Sequence, residues 1–207
     1  MNFDIDKLKE NIKNHKIKPL NVSRYYSIFI PLVKVENSLH LLYELRSKTL
    51  KTQAGEISFP GGRIEENEGI IEAAVRETSE ELNVNANRLE IWGKLDYLLT
   101  PYNILIYSCA GYINNFNLDN LEVNKEEVEE VFTVPLDYLL KQEAEVYNMS
   151  CTIDELSDFP YHLIQNGRDY KWREGKYPVY FYKYRKRIIW GFTAMMTKNF
   201  LDKISNF

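Results

Sequence analysis

The chain has 207 residues, a formal net charge of -4, and 44% hydrophobic and 27% charged side chains, the balance of an ordinary globular protein with a sizeable core. A net negative charge gives no electrostatic case for a nucleic-acid partner, whose phosphates require a basic face. No apolar run approaches the roughly 20 residues that cross a bilayer, so no membrane partner is expected either.

In chain order, "FDIDKLKENIKNH" places Phe3, Ile5, Leu8 and Ile12 near helical spacing and predicts a short amphipathic helix packed against the domain. "YYSIFIPLVKV" and "SLHLLYELRS" read as two strands with a turn around Glu36-Asn37. A loop from Lys48 to Ser58 leads into "FPGG". From Gly69 to Asn83 the pattern is helical, with Ile71, Val75, Thr78 and Leu82 on a narrow stripe facing the core. "LEIWGKLDYLL" and "ILIYSCAGYI" are strand-like and "TPYN" turns between them. "NKEEVEEVF" is an acidic connection into a second helix at "VPLDYLL". "YPVYFYKY" and "KRIIWGF" form a closing hairpin, and "TAMMTKNFLDKIS" is a C-terminal helix.

Cys109 and Cys151 have no ligand-like spacing and no signal-peptide pattern precedes them, which leads to the expectation of reduced thiols in a cytoplasmic protein. The basic stretch "YKYRKR", Tyr182 to Arg187, is read as a solvated strand or turn, with an anionic ligand as the other option. Mixed strands with a few helices point to an α/β domain with helices on both sides of a sheet. The domain is expected to occupy residues 1–207, with residues 1–20 as a helical extension.

Chemistry concentrates in "FPGGRIEENEGIIEAAVRETSEELNV", Phe59 to Val84. At about 100° per residue, Glu77, Glu80 and Glu81 lie within roughly a 100° arc, with the apolar stripe on the other side. Exposed like charges at this spacing repel by a few tenths of a kcal/mol per pair, so helix stability does not call for them. A hard divalent cation, Mg²⁺ or Mn²⁺, would reverse that sign, and the glycines let backbone approach closely enough to add a carbonyl ligand. A solvated acidic face is the alternative on spacing alone.

The full pattern resembles the Nudix box, G-x5-E-x7-R-E-U-x-E-E-x-G-U, with U a bulky apolar residue. Gly62, Glu68, Arg76, Glu77, Glu80, Glu81 and Val84 stand at the required positions. Thr78 takes an apolar slot, where its methyl can pack, and Asn83 replaces the last glycine, where a left-handed helix cap tolerates asparagine. The resemblance implies an α/β/α Nudix sandwich with a mixed sheet between helices, and hydrolysis of a nucleoside diphosphate linked to another group. It implies Glu77, Glu80, Glu81 and the Gly61 carbonyl as ligands of Mg²⁺ or Mn²⁺. Glu68 and Arg76 would orient loop and helix through an ion pair. For the catalytic base the resemblance offers candidates: Glu77, or a glutamate outside the box, Glu127 or Glu130, whose segment reads equally as a charged loop or helix start.

Leu42 to Gly62 is similar to the additional motif of the Nudix coenzyme A diphosphatases, L-L/M-T-x-R-S-x3-R-x3-G-x3-F-P-G-G. Leu42, Arg46, Ser47, Gly55, Phe59, Pro60, Gly61 and Gly62 fit, whereas Tyr43, Glu44 and Lys51 depart. Lys51 keeps a charge without the planar fork of arginine, and Glu44 is expected to face away from the ligand. The substrate-binding set implied is Arg46, Ser47, Lys51, Gly55 and Phe59; Arg46 and Lys51 would meet phosphates or, alternatively, make loop ion pairs. "IIWGFTAMM" looks like the "WG-x-TA" segment of that subfamily, and Trp190 is expected to pack strand onto helix. The implied products from coenzyme A are adenosine 3′,5′-bisphosphate and 4′-phosphopantetheine. Another nucleotide substrate, or a Nudix binding module without turnover, remains open, as does a homodimer.

Overall fold

The structure, a computed structural model, describes residues 4–153 and 158–205. It begins with helix α1 (Ile5–Lys13), capped by Asp4, whose carboxylate accepts from the backbone N–H groups of Asp6 and Lys7 at 3.0 and 3.3 Å. Contrary to the expected packing, none of the helix's residues is buried, and Ile5 and Ile12 are each 76% exposed. A stripe of single apolar side chains among lysines covers too little area to hold a short helix to a surface. Phe3 lies outside the described residues. Deleting residues 1–16 is therefore expected to move the melting temperature by no more than about 2 °C, and a fall beyond about 5 °C would contradict this exposure.

The main sheet follows from period-2 patterning. Strands β1 (Arg24–Val35) and β2 (Ser38–Arg46) form a hairpin whose turn holds Glu36 at φ 52°. Short strands β3 (Ile57–Ser58) and β4 (Gly61–Arg63) pair with β2 and β1. After helix α2 (Ile70–Leu82) come β5 (Leu89–Lys94), β6 (Leu98–Leu99) and β7 (Ile104–Ile113). β7 lies parallel to β1 and the other pairings in this sheet are antiparallel, so the sheet is mixed, in the order β3-β2-β1-β7-β5.

"NKEEVEEVF" is not a connection into a helix. It runs into strand β8 (Val128–Pro135), antiparallel to β2. Val128 and Val131 are buried while the consecutive Glu129 and Glu130 stay exposed, because the ladder to β2 slips register between Leu45 and Arg46 and leaves Glu129 as the extra residue of a bulge. Helix α3 (Leu136–Lys141) starts only after Pro135. A second sheet, not anticipated, joins the exposed β9 (Glu145–Cys151) to the expected hairpin of β10 (Gly175–Tyr184) and β11 (Arg187–Trp190). Helix α4 (Gly191–Ile204) follows.

Alternation along the strands divides the core in two. Phe29, Val33, Leu42, Cys109 and Ile113 pack towards α2 with Ala74 and Leu82. Ile30, Leu32, Leu41, Tyr43 and Ala110 pack towards α4 with Ala194, Phe200 and Leu201. The result is an α/β/α sandwich with the mixed sheet in the middle. Both cysteines are free, Cys109 buried and Cys151 exposed. Among the described residues no helix is long and apolar enough to cross a membrane.

Candidate functional site

The site forms where the Pro60-Gly61-Gly62 turn meets α2. Gly61 has φ +146° and pairs with Ile28 of β1; a Cβ there would lie 2.4 Å from the Ser27 carbonyl oxygen. At Gly62 a Cβ would fall 2.2 Å from the Glu77 carboxyl carbon, so that carboxylate rests directly against the glycine. Ser27 Oγ donates to the Ile70 carbonyl at 2.7 Å and ties β1 to the start of α2. The helix ends with Asn83 in the left-handed conformation, φ 51° and ψ 43°. Thr78 is fully buried; its hydroxyl oxygen has no hydrogen-bond partner among the described residues, a cost that an apolar residue would not carry.

Arg76 is the organising cation. It grips Glu68 through Nε at 2.7 Å and Nη2 at 3.0 Å, and Nη2 also donates to the Arg63 carbonyl at 3.1 Å. Its Nη1 donates to Glu77 at 2.9 Å and to Glu80 at 3.3 Å. Glu68 and Arg76 thus fasten the loop to the helix, and the guanidinium is shared among three carboxylates.

The three box glutamates do not share one environment. Glu80 is exposed and Glu77 half-buried, whereas Glu81 is only 2% exposed. Their arc abuts the buried stripe, because Glu81 lies only about 20° around the helix from Ala74; the expected separation of acidic and apolar faces does not hold. Ile71 and Val75 of the expected stripe are only partly buried, and Ala73 and Ala74 are buried instead. Glu81 Oε2 accepts the Gly61 N–H at 2.8 Å. Burial, then the neighbouring Glu44 charge, push the Glu81 carboxyl well above the ordinary carboxylate range. Glu77 is also raised, by burial, against the opposing pull of Arg76.

Glu44 corrects the sequence expectation most directly. It does not face away. Leu42 and Glu44 share the β2 face that looks towards α2, and Glu44 is fully buried with Ser58 Oγ donating to its Oε1 at 2.8 Å. Burial raises its pKa, and the charges of Glu127 and Glu77 add to the effect. The signal was present in "LLYELR": a glutamate at the alternation position of a core-facing leucine.

The donor set has the chemistry a hard divalent cation takes: carboxylates from a rigid helix and strand, of which Glu44 and Glu81 are buried and make no ion pair among the described residues. Among the described residues no three such side chains are gathered tightly enough to hold a metal as they stand. Glu77 and Glu80 turn to Arg76 and Glu81 to the Gly61 N–H, so it is that N–H that engages a box carboxylate here.

Of the two outside glutamates, the structure brings only Glu127 to the site. A tight turn, with Glu127 N–H and Val128 N–H donating to the Asn124 carbonyl at 3.1 and 2.8 Å, is pinned to α2 by Asn124 N–H on the Glu81 carbonyl at 2.9 Å. Glu127 thereby lies near enough to Glu44 and Glu77 for its charge to act on both. Glu130, exposed on β8, is ion-paired to Arg187.

The implied substrate residues separate into anchors and free cations. Phe59 is 3% exposed and stacks on Tyr43 at 4.7 Å, so it fastens the loop into the core and is withdrawn from solvent contact. Ser47 is likewise buried, with its hydroxyl on Thr49 at 2.8 Å and its N–H on the Glu127 carbonyl at 2.8 Å. Gly55 turns the loop at φ +72°. Lys51 is exposed, and among the described residues neither it nor Arg46 makes an ion pair, unlike the loop-pairing alternative. Tyr43 is a core residue whose hydroxyl meets Thr197 at 3.0 Å. Trp190 is not packed between strand and helix: it is 46% exposed and stacks on Phe181, while Thr193 donates to the Ile57 carbonyl at 2.9 Å and braces β3. The "YKYRKR" stretch spans the β10–β11 turn, with Lys183 paired to Glu145 and Arg187 to Glu130.

Comparison with known proteins matches residues 30–155 to the NUDIX domain family. The chain is 42% identical over 125 residues to Nudix hydrolase 3 of Caenorhabditis elegans, covering 56% of this chain and 49% of that protein, so it spans about half that relative's length. It is 30% identical over 174 residues to the mitochondrial coenzyme A diphosphatase NUDT8 of Mus musculus, covering 83% of this chain and 74% of that one. A MutT/nudix family protein from Enterococcus faecalis shares the fold, with TM-score 0.51 and 13% identity over 99% of this chain and 70% of that chain.

Proposed function

We propose, given that this chain belongs to the Nudix family and is a Nudix hydrolase, that its substrate is coenzyme A or a derivative, cleaved at the diphosphate with Mg²⁺ or Mn²⁺. The observation that carries the substrate class is the loop from Arg46 to Gly62. Its Ser47 and Phe59 are buried anchors and its Arg46 and Lys51 make no ion pair among the described residues, which leaves two cations for an anionic ligand. The similarity to the mouse coenzyme A diphosphatase runs over most of the chain and supports the same choice.

Glu77, Glu80 and Glu81 would hold the cation, which supplies charge neutralisation of the diphosphate and a lower pKa for an attacking water. Arg76 and Glu68 keep the glutamate-bearing helix in register with the glycine turn. Glu127, held beside Glu77 by the turn at Asn124, is the candidate base, positioned to take a proton from water. Lys51 and Glu44, which depart from the coenzyme A pattern, favour a second reading in which another nucleoside diphosphate derivative is cleaved.

Incubation with coenzyme A, 3′-dephospho-coenzyme A and ADP-ribose, each with Mg²⁺ or Mn²⁺, separates the two. Adenosine 3′,5′-bisphosphate with 4′-phosphopantetheine, absent when EDTA is added, is the expected product pair. Faster cleavage of ADP-ribose than of either coenzyme would transfer the assignment to the second reading.

A further inference from the structure

We propose that Glu44 is a fourth carboxylate of the cation site, held beneath α2 to act on the same divalent ion as Glu77, Glu80 and Glu81. The inference rests on the metal-dependent hydrolase reading above and adds a residue that the box does not contain.

Glu44 is fully buried, and its two oxygens are treated differently. Oε1 accepts from Ser58 Oγ at 2.8 Å, whereas Oε2 is shielded from solvent and has no hydrogen-bond partner among the described residues. Leaving a buried carboxylate oxygen without a donor is costly, and folds keep such groups where something else completes them. The groups facing it come from three elements. Glu77 and Glu81 approach from α2, Glu127 from the turn before β8, and Arg46 from two residues along β2. Three of those four are carboxylates.

The available cations do not complete it. Arg76 is engaged by Glu68, Glu77 and Glu80. A register shift between Leu45 and Arg46 displaces Arg46 from simple alternation with Glu44, and the two form no ion pair among the described residues. A divalent cation among Glu44, Glu77 and Glu81 supplies the missing charge and a partner for Oε2. Because β2 is a central strand with β1 and β8 on either side, this carboxylate is presented from a rigid support.

The test is titration of the full chain with MnCl₂ alone, without nucleotide, following free Mn²⁺ by electron paramagnetic resonance. Glu44→Gln and Glu44→Thr, the latter the residue of the coenzyme A pattern, are expected to keep the circular dichroism of the parent and to bind Mn²⁺ at least about tenfold more weakly. Using two variants guards against one that fails to fold. Binding as tight in both variants as in the parent would overturn the proposal alone and leave Glu44 a buried structural acid. No Mn²⁺ binding by the parent would overturn the cation-site reading with it.

Discussion

Replacing Glu81 by glutamine is expected to lower metal-dependent hydrolysis roughly a thousandfold with the fold intact. The argument starts from placement: Glu81 is buried, its Oε2 takes the Gly61 N–H, and Glu44 lies close enough for its charge to act on it. A glutamine oxygen can keep the Gly61 hydrogen bond, so the glycine turn should hold. The lost negative charge is one that the fold already disfavours, because burial raises the pKa of this carboxyl. Stability should therefore be unchanged or slightly higher. What disappears is the charge of a proposed cation ligand, and losing about 4 kcal/mol of transition-state stabilisation corresponds to about a thousandfold in rate. Initial rates with coenzyme A and Mg²⁺, alongside thermal melts, check both halves. A rate within threefold of the parent would remove Glu81 from the machinery.

Gly61→Ala is expected to destabilise the protein by about 3 kcal/mol or more, and Gly62→Ala far less, although the two glycines are adjacent. At Gly61 the added methyl meets backbone: the Ser27 carbonyl oxygen at 2.4 Å and the Ile28 Cα at 2.6 Å, in a conformation with φ +146°. Relief would require moving β4 off β1, and β1 is held along its other edge by β7. At Gly62 the methyl meets the far end of the Glu77 side chain, which can swing aside. That substitution should spare the melting temperature and cost activity, because it displaces a proposed ligand. Paired thermal melts and rates would decide; equal destabilisation by both would refute the assignment of separate tasks to the two glycines.

Much of this was legible in one dimension because the signals are local. The helix from Ile70 to Leu82 and its left-handed stop at Asn83 follow from spacing and cap chemistry within a single turn of chain. The partnership of Glu68 with Arg76 could be anticipated from the motif, and the geometry places both nitrogens of the fork on that carboxylate. β8 is hidden in the sequence because two adjacent acids break its period-2 pattern; only the pairing with β2 reveals a strand that slips register at Glu129. The fate of α1 was equally illegible, since an apolar stripe states what could be buried and not whether a surface exists to receive it.

The sequence by itself determined the spacing of Glu77, Glu80 and Glu81 on one helix, the glycine turn before them and the basic loop upstream. Helix pitch and glycine stereochemistry are properties of neighbouring residues, so no fold was needed to see them. Only the tertiary structure decided that Glu81 is buried and Glu80 is not, that Glu127 joins the site while Glu130 pairs with Arg187, and that Glu44 turns inward beneath α2. Burial and charge coupling depend on which strand and helix surfaces meet across long sequence separations, and those meetings set the chemistry of each carboxylate.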